Sequence, residues 1–258
     1  QVQAMSGIMD VNGETDGPPT RLGVFLGDLS TPLYAAYSIL GALRVKEKTG
    51  RGQHLDASMM DTLATFVFME PIEEVLHQGL PVRVGNQARH DPTGLYRLAD
   101  GDVFIAIATE TRWQSLCRAI GLTHLLDDER YKTAAGREAH VAELRAAVQE
   151  ALKDLACNEA ITLIENAGVP IARVRALPEV IDDPHFRARG TLRPMLRAGS
   201  DEPVERGIMA GFPVTFSGGP LKALEGGAPL GAHNREILGD LIGLDEAALA
   251  DLAKRGVI

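Results

Sequence analysis

Residues 21–58 read RLGVFLGDLSTPLYAAYSILGALRVKEKTGRGQHLDAS, and the fold class follows from how this stretch is punctuated. RLGVFLGD (21–28) is a short apolar run closed by Gly27 and Asp28, the pattern of a strand ending in a turn. Ser30 or Thr31 can cap a following helix with Pro32 at its first position, and Leu33, Tyr34, Tyr37, Ile39, Leu40 and Leu43 give that helix a broad apolar face. Lys46 and Lys48 suit its negative end, and Gly50 stops it. GQHLDAS (52–58) reads as a second short strand, and residues 59–79 as a second helix, interrupted or kinked near Pro71. Strand, helix, strand, helix is the alternation of an α/β sheet.

Upstream, residues 11–20 are rich in Gly, Asp and Pro and form turns. Downstream, the apolar period lapses between Gly79 and Thr93, where Pro81, Gly85, Asn86, Gln87 and Pro92 gather, so a linker or ordered loop and a domain boundary are expected there. GLYRLADGDVFIAIAT (94–109) is the clearest hairpin, turning around Asp100-Gly101. Helical patterns follow at 110–120, 135–154 and 158–167, the last with Asn158 as its cap and Gly168-Val169-Pro170 as its stop, which makes this middle stretch a small α+β unit. TLRPML and GIMAGFPVTF are extended again, and two short helices flank Gly243.

Composition narrows the function. The 258 residues are 45% hydrophobic and 24% charged, enough for a sizeable core. Lys+Arg 26 against Asp+Glu 35 gives a net charge of −9, with the basic residues scattered, so no nucleic-acid partner is expected. The uncharged run Leu29 to Leu43, with none longer in the chain, contains Ser30, Thr31 and Pro32 and falls short of the roughly 18 apolar residues of a membrane span. Cys117 and Cys157 have neither disulfide-framework nor zinc-site spacing, which suits a reducing cytoplasm. The opening QVQAMSGIMDVNGE lacks the basic start and apolar run of a signal peptide and reads as the end of a helix whose beginning is missing.

Asp28 stands between the expected strand end and helix start, where α/β sheets present reactive groups, although capping explains many such aspartates. His90-Asp91 is a weaker general-base candidate, since adjacent residues rarely orient each other. Asp183 and His185 lack the further ligand that would complete a metal site, and no metal is expected. Trp113 reads as packing rather than a stacking platform, Gly218-Gly219 and Gly226-Gly227 as turns, and no dinucleotide or Walker fingerprint is present.

In order, QAMSGIMDVNGETDGPP, the GD of VFLGD, EKTGRGQHLDASMMD, RVGNQARHDPTGLYRLADGDVFIAIAT, DDPHFRARG and PLGAHNREIL resemble the family III CoA-transferases, the group containing carnitine CoA-transferase and formyl-CoA:oxalate CoA-transferase. The resemblance implies an α/β fold in which residues 1–78 are part of a large Rossmann-like domain bearing a catalytic aspartate. It implies that 79–188 are a linker and small α+β domain, that 189–258 return to the large domain, and that two chains interlock as a homodimer. It places the catalytic aspartate at Asp28 and CoA contacts at Gly27, Gly85, Asn86, Gln87 and Arg89, with acyl-CoA and a small carboxylic acid as substrates and no permanently bound cofactor. The family's amino-terminal part has no counterpart here and is itself an expected partner. The same fold serves α-methylacyl-CoA racemases, so an isomerase, or a non-catalytic or split-subunit remnant, are the alternatives.

Overall fold

In a computed structural model, which describes residues 1–69, 75, 77, 79–197, 202–219 and 226–258, the 21–58 stretch is one long helix flanked by irregular chain. Helix α2 runs Leu26–Thr49, packed beside the short α1 (Val2–Met5) and α3 (Met59–Met69). Neither RLGVFLGD nor GQHLDAS forms the expected strand. A strand is stable only with a hydrogen-bonded neighbour, and neither segment pairs with one among the described residues. The helix also starts earlier than Ser30. Gly27 is buried, and a Cβ there would stand 3.0 Å from Val2 Cγ2 and 3.1 Å from Met59 Cε, so close packing on α1 and α3 fixes the first turn. Ser30 is therefore no cap; its Oγ donates to the Leu26 carbonyl at 2.7 Å, and Pro32 lies inside the helix. The other end follows the sequence. Gly50 adopts φ 74° and donates to the Lys46 carbonyl at 2.8 Å, with Lys46 and Lys48 in the last turn. The break expected near Pro71 lies outside the described residues.

The chain divides into two compact units, residues 1–174 and 175–258. The main core of the first surrounds the expected hairpin. Strand β1 (Gly94–Leu98) pairs antiparallel with β2 (Gly101–Ile105), Leu98 opposite Gly101, and β2 pairs in turn with β3 (Ile171–Arg173). Alternation along the hairpin sends Tyr96, Leu98, Val103 and Ile105 inward, where they meet Trp113, Leu116, Leu144, Val148, Leu152 and Ile164 from the helices. These helices are α4 (Glu110–Ala119), α5 (His124–Asp127), α6 (Ala134–Ala139), α7 (Val141–Leu152) and α8 (Cys157–Asn166). The outer edge of β1 is covered by a side chain: Gln149 of α7 accepts from the Arg97 amide at 2.9 Å and donates to the Arg97 carbonyl at 2.6 Å, as a neighbouring strand would.

Two helix boundaries depart from expectation. The 135–154 pattern breaks at His140, whose φ of −119° leaves the helix while its ring bonds Glu143 at 3.1 Å and stands edge-on to Tyr131. The 158–167 helix begins one residue before Asn158, after Ala156, which has no capping side chain. Asp100 in the hairpin turn takes over that task across 57 residues of sequence, accepting the Cys157 amide at 2.7 Å.

In the second unit, α9 (Leu177–Ile181) and α10 (Pro184–Ala188) precede a hairpin of β4 (Leu192–Leu196) and β5 (Pro203–Ala210). The chain closes with a π-helical segment, Arg235–Leu241, and α11 (Glu246–Lys254), on either side of Gly243 as expected. No described helix is long and apolar enough to cross a membrane.

Candidate active site

Asp28 occupies the third position of α2 and is exposed, between buried Gly27 and buried Ser30. Phe25, at the N-cap, offers no capping side chain; the Leu26 amide donates to the Val24 carbonyl at 2.9 Å, while the Gly27 and Asp28 amides find no acceptor among the described residues and leave a partial positive charge beside the carboxylate. Pro32 acts in the opposite sense. Having no N–H, it cannot donate to the residue four before it, and that residue is Asp28, whose carbonyl loses its place in the helical ladder. Gly27 contributes differently from expectation: the space where its Cβ would lie is filled by Val2 and Met59 rather than open to a ligand.

The 79–93 stretch is an ordered loop whose polar groups bind one another. Arg89 turns back on its own chain, Nε to the Pro81 carbonyl at 3.2 Å and Nη2 to the Val82 carbonyl at 2.7 Å. Gly85 takes φ +60° and donates to the Gly13 carbonyl at 2.9 Å, with the Glu14 carboxylate where a Cβ would project. Asn86 accepts the Leu95 amide at 3.0 Å, and Gln87 donates to the Leu95 carbonyl at 3.3 Å while its Oε1 is buried and unpaired among the described residues. The structure thus brings Gly85, Asn86, Gln87 and Arg89 together, each engaged within the chain. No hydrogen bond or ion pair among the described residues joins them to Asp28.

His90 and Asp91 do not orient each other. His90 Nδ1 lies 2.7 Å from Glu138 Oε1 on α6, and Asp91 Oδ1 accepts the Thr93 amide at 2.7 Å. Residues 90–92 form one wall of a cavity of about 260 Å³ whose other walls include Thr109, Glu110, Trp113 and Arg137. Trp113 is 2% exposed, which agrees with its reading as a packing residue. Arg137 is nearly as buried, donating to the Tyr131 carbonyl at 2.9 Å and to Glu110 at 2.5 Å. Sequence reasoning missed Arg137, Glu138 and Arg145, because the partners lie 27 to 57 residues away and no local motif links them. A second cavity, about 390 Å³, lies between α2, α3 and residues 55–58 and is lined by Tyr34, Ser38, Asp56 and Asp61 among others. Asp28 lines neither.

Elsewhere, Asp183 caps α10 through the His185 amide at 2.7 Å and pairs with Arg175, which holds its carboxyl below the ordinary range after the effect of that amide. Arg51 is exposed. Among the described residues no group of three or more His, Cys, Asp and Glu is placed to hold a metal ion.

Residues 1–234 match the profile of CoA-transferase family III. The chain belongs to CoA-transferase family III. It is 30% identical over 248 residues to the succinate–glutarate CoA-transferase of Agrobacterium fabrum, covering 96% of this chain and 61% of that protein. It is 32% identical over 259 residues to the succinyl-CoA–D-citramalate CoA-transferase of Chloroflexus aurantiacus, covering 99% and 63%. The crystal structure of a CaiB/BaiF family protein from Brucella suis superimposes with a TM-score of 0.74 at 28% identity, over 93% of this chain and 61% of that one. The chain therefore has the mixed α/β fold of this family III group and spans about three fifths of the length of these relatives.

Proposed function

We propose that the protein moves CoA from an acyl-CoA thioester to a small carboxylic acid, with Asp28 as the nucleophile. The observation that carries this reading is an exposed carboxylate in the uncapped first turn of α2, in a chain of this family. A carboxylate is ionised at neutral pH and needs no adjacent base to attack. Asp28 Oδ attacks the thioester carbonyl, the C–S bond breaks, and an acyl-aspartyl anhydride and CoA thiolate result. The thiolate attacks the aspartyl carbonyl, releasing the donor acid as its carboxylate and leaving an aspartyl-CoA thioester. The acceptor carboxylate then runs both steps in reverse order, so no proton is gained or lost. The names of the relatives favour a short dicarboxylic acid as acceptor and succinyl-CoA as donor. CoA is substrate here, not a resident cofactor, and a homodimer in which 79–188 forms a linker and the small α+β domain completes the reading.

The test is Asp28→Ala in the full-length protein, assayed with succinyl-CoA and glutarate. Loss of exchange with an unchanged circular dichroism spectrum is expected, and the parent incubated without acceptor should carry CoA on the peptide containing Asp28. Exchange by the variant within tenfold of the parent, about 1.4 kcal/mol of barrier, overturns the assignment. Exchange of the substrate's α-proton with no covalent adduct points to isomerase chemistry instead.

A further inference from the structure

The cavity of about 260 Å³ that residues 90–92 wall on one side is built around the start of α4. Four consecutive amides there, those of Ala108, Thr109, Glu110 and Thr111, find no acceptor among the described residues, and the first three belong to residues that line the cavity. The Thr109 side chain serves only the next one, accepting the Arg112 amide at 3.3 Å. A helix start left open in this way carries about half a positive charge. An independent donor stands at the same space. Trp113 is 2% exposed, yet its indole N–H meets no acceptor among the described residues and is not one of the fully enclosed unpaired atoms, so it opens on the cavity that its ring lines. An indole N–H can only donate, and buried donors are ordinarily matched. Arg137, held at Nη1 by the Tyr131 carbonyl and at Nη2 by Glu110, likewise has no acceptor for Nε among the described residues.

The formal charges around the lining are met in pairs. Glu110 accepts from Arg137 at 2.5 Å and from Gln114 at 2.9 Å. Asp91 takes the Thr93 amide at 2.7 Å, and the Arg145 guanidinium of α7, which clamps the Ala88 and Asp91 carbonyls, offsets its charge. His90 stands against Glu138 at 2.7 Å. What remains unmet are donors. A cation is repelled by the open helix start, and an apolar molecule leaves the indole N–H unbonded. A dianionic phosphate asks for more positive charge than one helix end supplies. A single carboxylate matches, with one charge and two oxygens that each accept from more than one N–H. The volume lies under the roughly 300–1,000 Å³ of sites for drug-sized ligands, which limits the occupant to a small molecule.

We propose that this cavity is a binding site for one small carboxylate, whose oxygens take the Trp113 indole N–H and the open amides at the start of α4. Asp28 does not line the cavity, and the inference does not rest on the transfer reading. An anion here completes the hydrogen bonding of a helix whose own cap leaves its first amides bare.

Trp113 is the single tryptophan of the chain, so its emission reads the site directly. The 258-residue protein is titrated at constant ionic strength with propionate, with propionamide, which keeps the shape without the charge, and with inorganic phosphate. Hydrogen–deuterium exchange follows the 108–111 amides in parallel. Propionate is expected to change the emission saturably in the millimolar range and to slow exchange at 108–111 while β1 and β2 stay as they were. Propionamide should do neither. Ala108 and Ala134 line the cavity and are exposed, so substitutions there leave the core intact. Ala108→Glu, which brings a like charge to the rim, and Ala134→Leu, which fills the space, should each weaken the propionate response about tenfold or more. The two variants answer independently, so one that fails to fold leaves the other to decide. Asp28→Ala should titrate as the parent does, which separates this result from the fate of the transfer reading. A propionate response that is absent, matched by propionamide, exceeded by that to phosphate, undiminished in a folded cavity variant, or lost in Asp28→Ala overturns the proposal.

Discussion

Gly27 sets the stage for Asp28 by what it lacks. Its Cβ position is 3.0 Å from Val2 Cγ2 and 3.1 Å from Met59 Cε, so any side chain there pushes the first turn of α2 off α1 and α3. A branched substituent adds two more carbons to that collision. Gly27→Val should cost about 1–3 kcal/mol in urea unfolding, more than its better helix propensity over glycine, a few tenths of a kcal/mol, returns. Activity should fall with it, since the turn that carries Asp28 moves. Parental stability would mean that α1 and α3 yield without cost. The two thiols show the opposite use of burial. Desolvation pushes Cys117 up to about 12 and raises Cys157, and both are buried. At a pH of about 8 a thiol of that acidity is ionised in about one molecule in ten thousand, and only the thiolate alkylates. Iodoacetamide should leave both untouched in the folded protein and modify both in denaturant, read by peptide mass.

At the scale of elements, Asp100 joins the hairpin turn to α8, accepting the Cys157 amide at 2.7 Å. That bond, ahead of several smaller influences, holds the Asp100 carboxyl below the ordinary aspartate range. A depressed carboxylate stabilises the fold above its unfolded pKa, and the contribution is lost as pH falls through the lower, folded value. Asp100→Asn should therefore melt at a lower temperature than the parent at neutral pH, with the difference closing as pH drops through and below about 4. A constant difference across that range would mean the charge is idle. The core beneath is a separate matter of volume. Leu144 is fully buried between the hairpin and the helices, and Leu144→Ala should cost about 2–5 kcal/mol. These elements were legible because each carries its own signal: alternation in 94–105, the helical period of 110–120, and stop glycines at 50 and 168, both in the left-handed conformation. Asp100's second task was not, since its partner is 57 residues away and Asp-Gly already has a local meaning as a turn. The same holds for the loop, where Gly85 and Asn86 announced a turn but not that Arg89 would fold back or that Arg145 would clamp it. The strands expected at 21–28 and 52–58 failed for a related reason: an apolar run states a readiness to pair, and pairing depends on a neighbour that no local pattern reveals.

At the scale of the whole molecule, apolar surface is divided unevenly. The hairpin core from Tyr96 to Ile171 is nearly closed to water, whereas α2 exposes Leu29, Leu33, Tyr37 and Leu40, by 60%, 64%, 58% and 67%, in one stripe at helical spacing. Ile39, Leu43 and Val45 are exposed beside it, so the helix is apolar around much of its circumference, a composition that belongs inside a protein or an interface. Each such side chain gains about 1.5–3 kcal/mol on full burial. The 258-residue chain is therefore expected to self-associate in solution. Replacing two residues of the stripe with charge, Leu33→Glu and Leu40→Glu, should remove about 3–6 kcal/mol of association, a loss of at least a hundredfold in affinity. Stability of the hairpin core should be untouched, because neither residue reaches it. Sedimentation velocity across a concentration series reads both forms. Concentration-dependent association of the parent that is lost in the double variant is the expected result. A parent that sediments as a monomer throughout would show that the α2 stripe, for all its exposure, does not drive chains together.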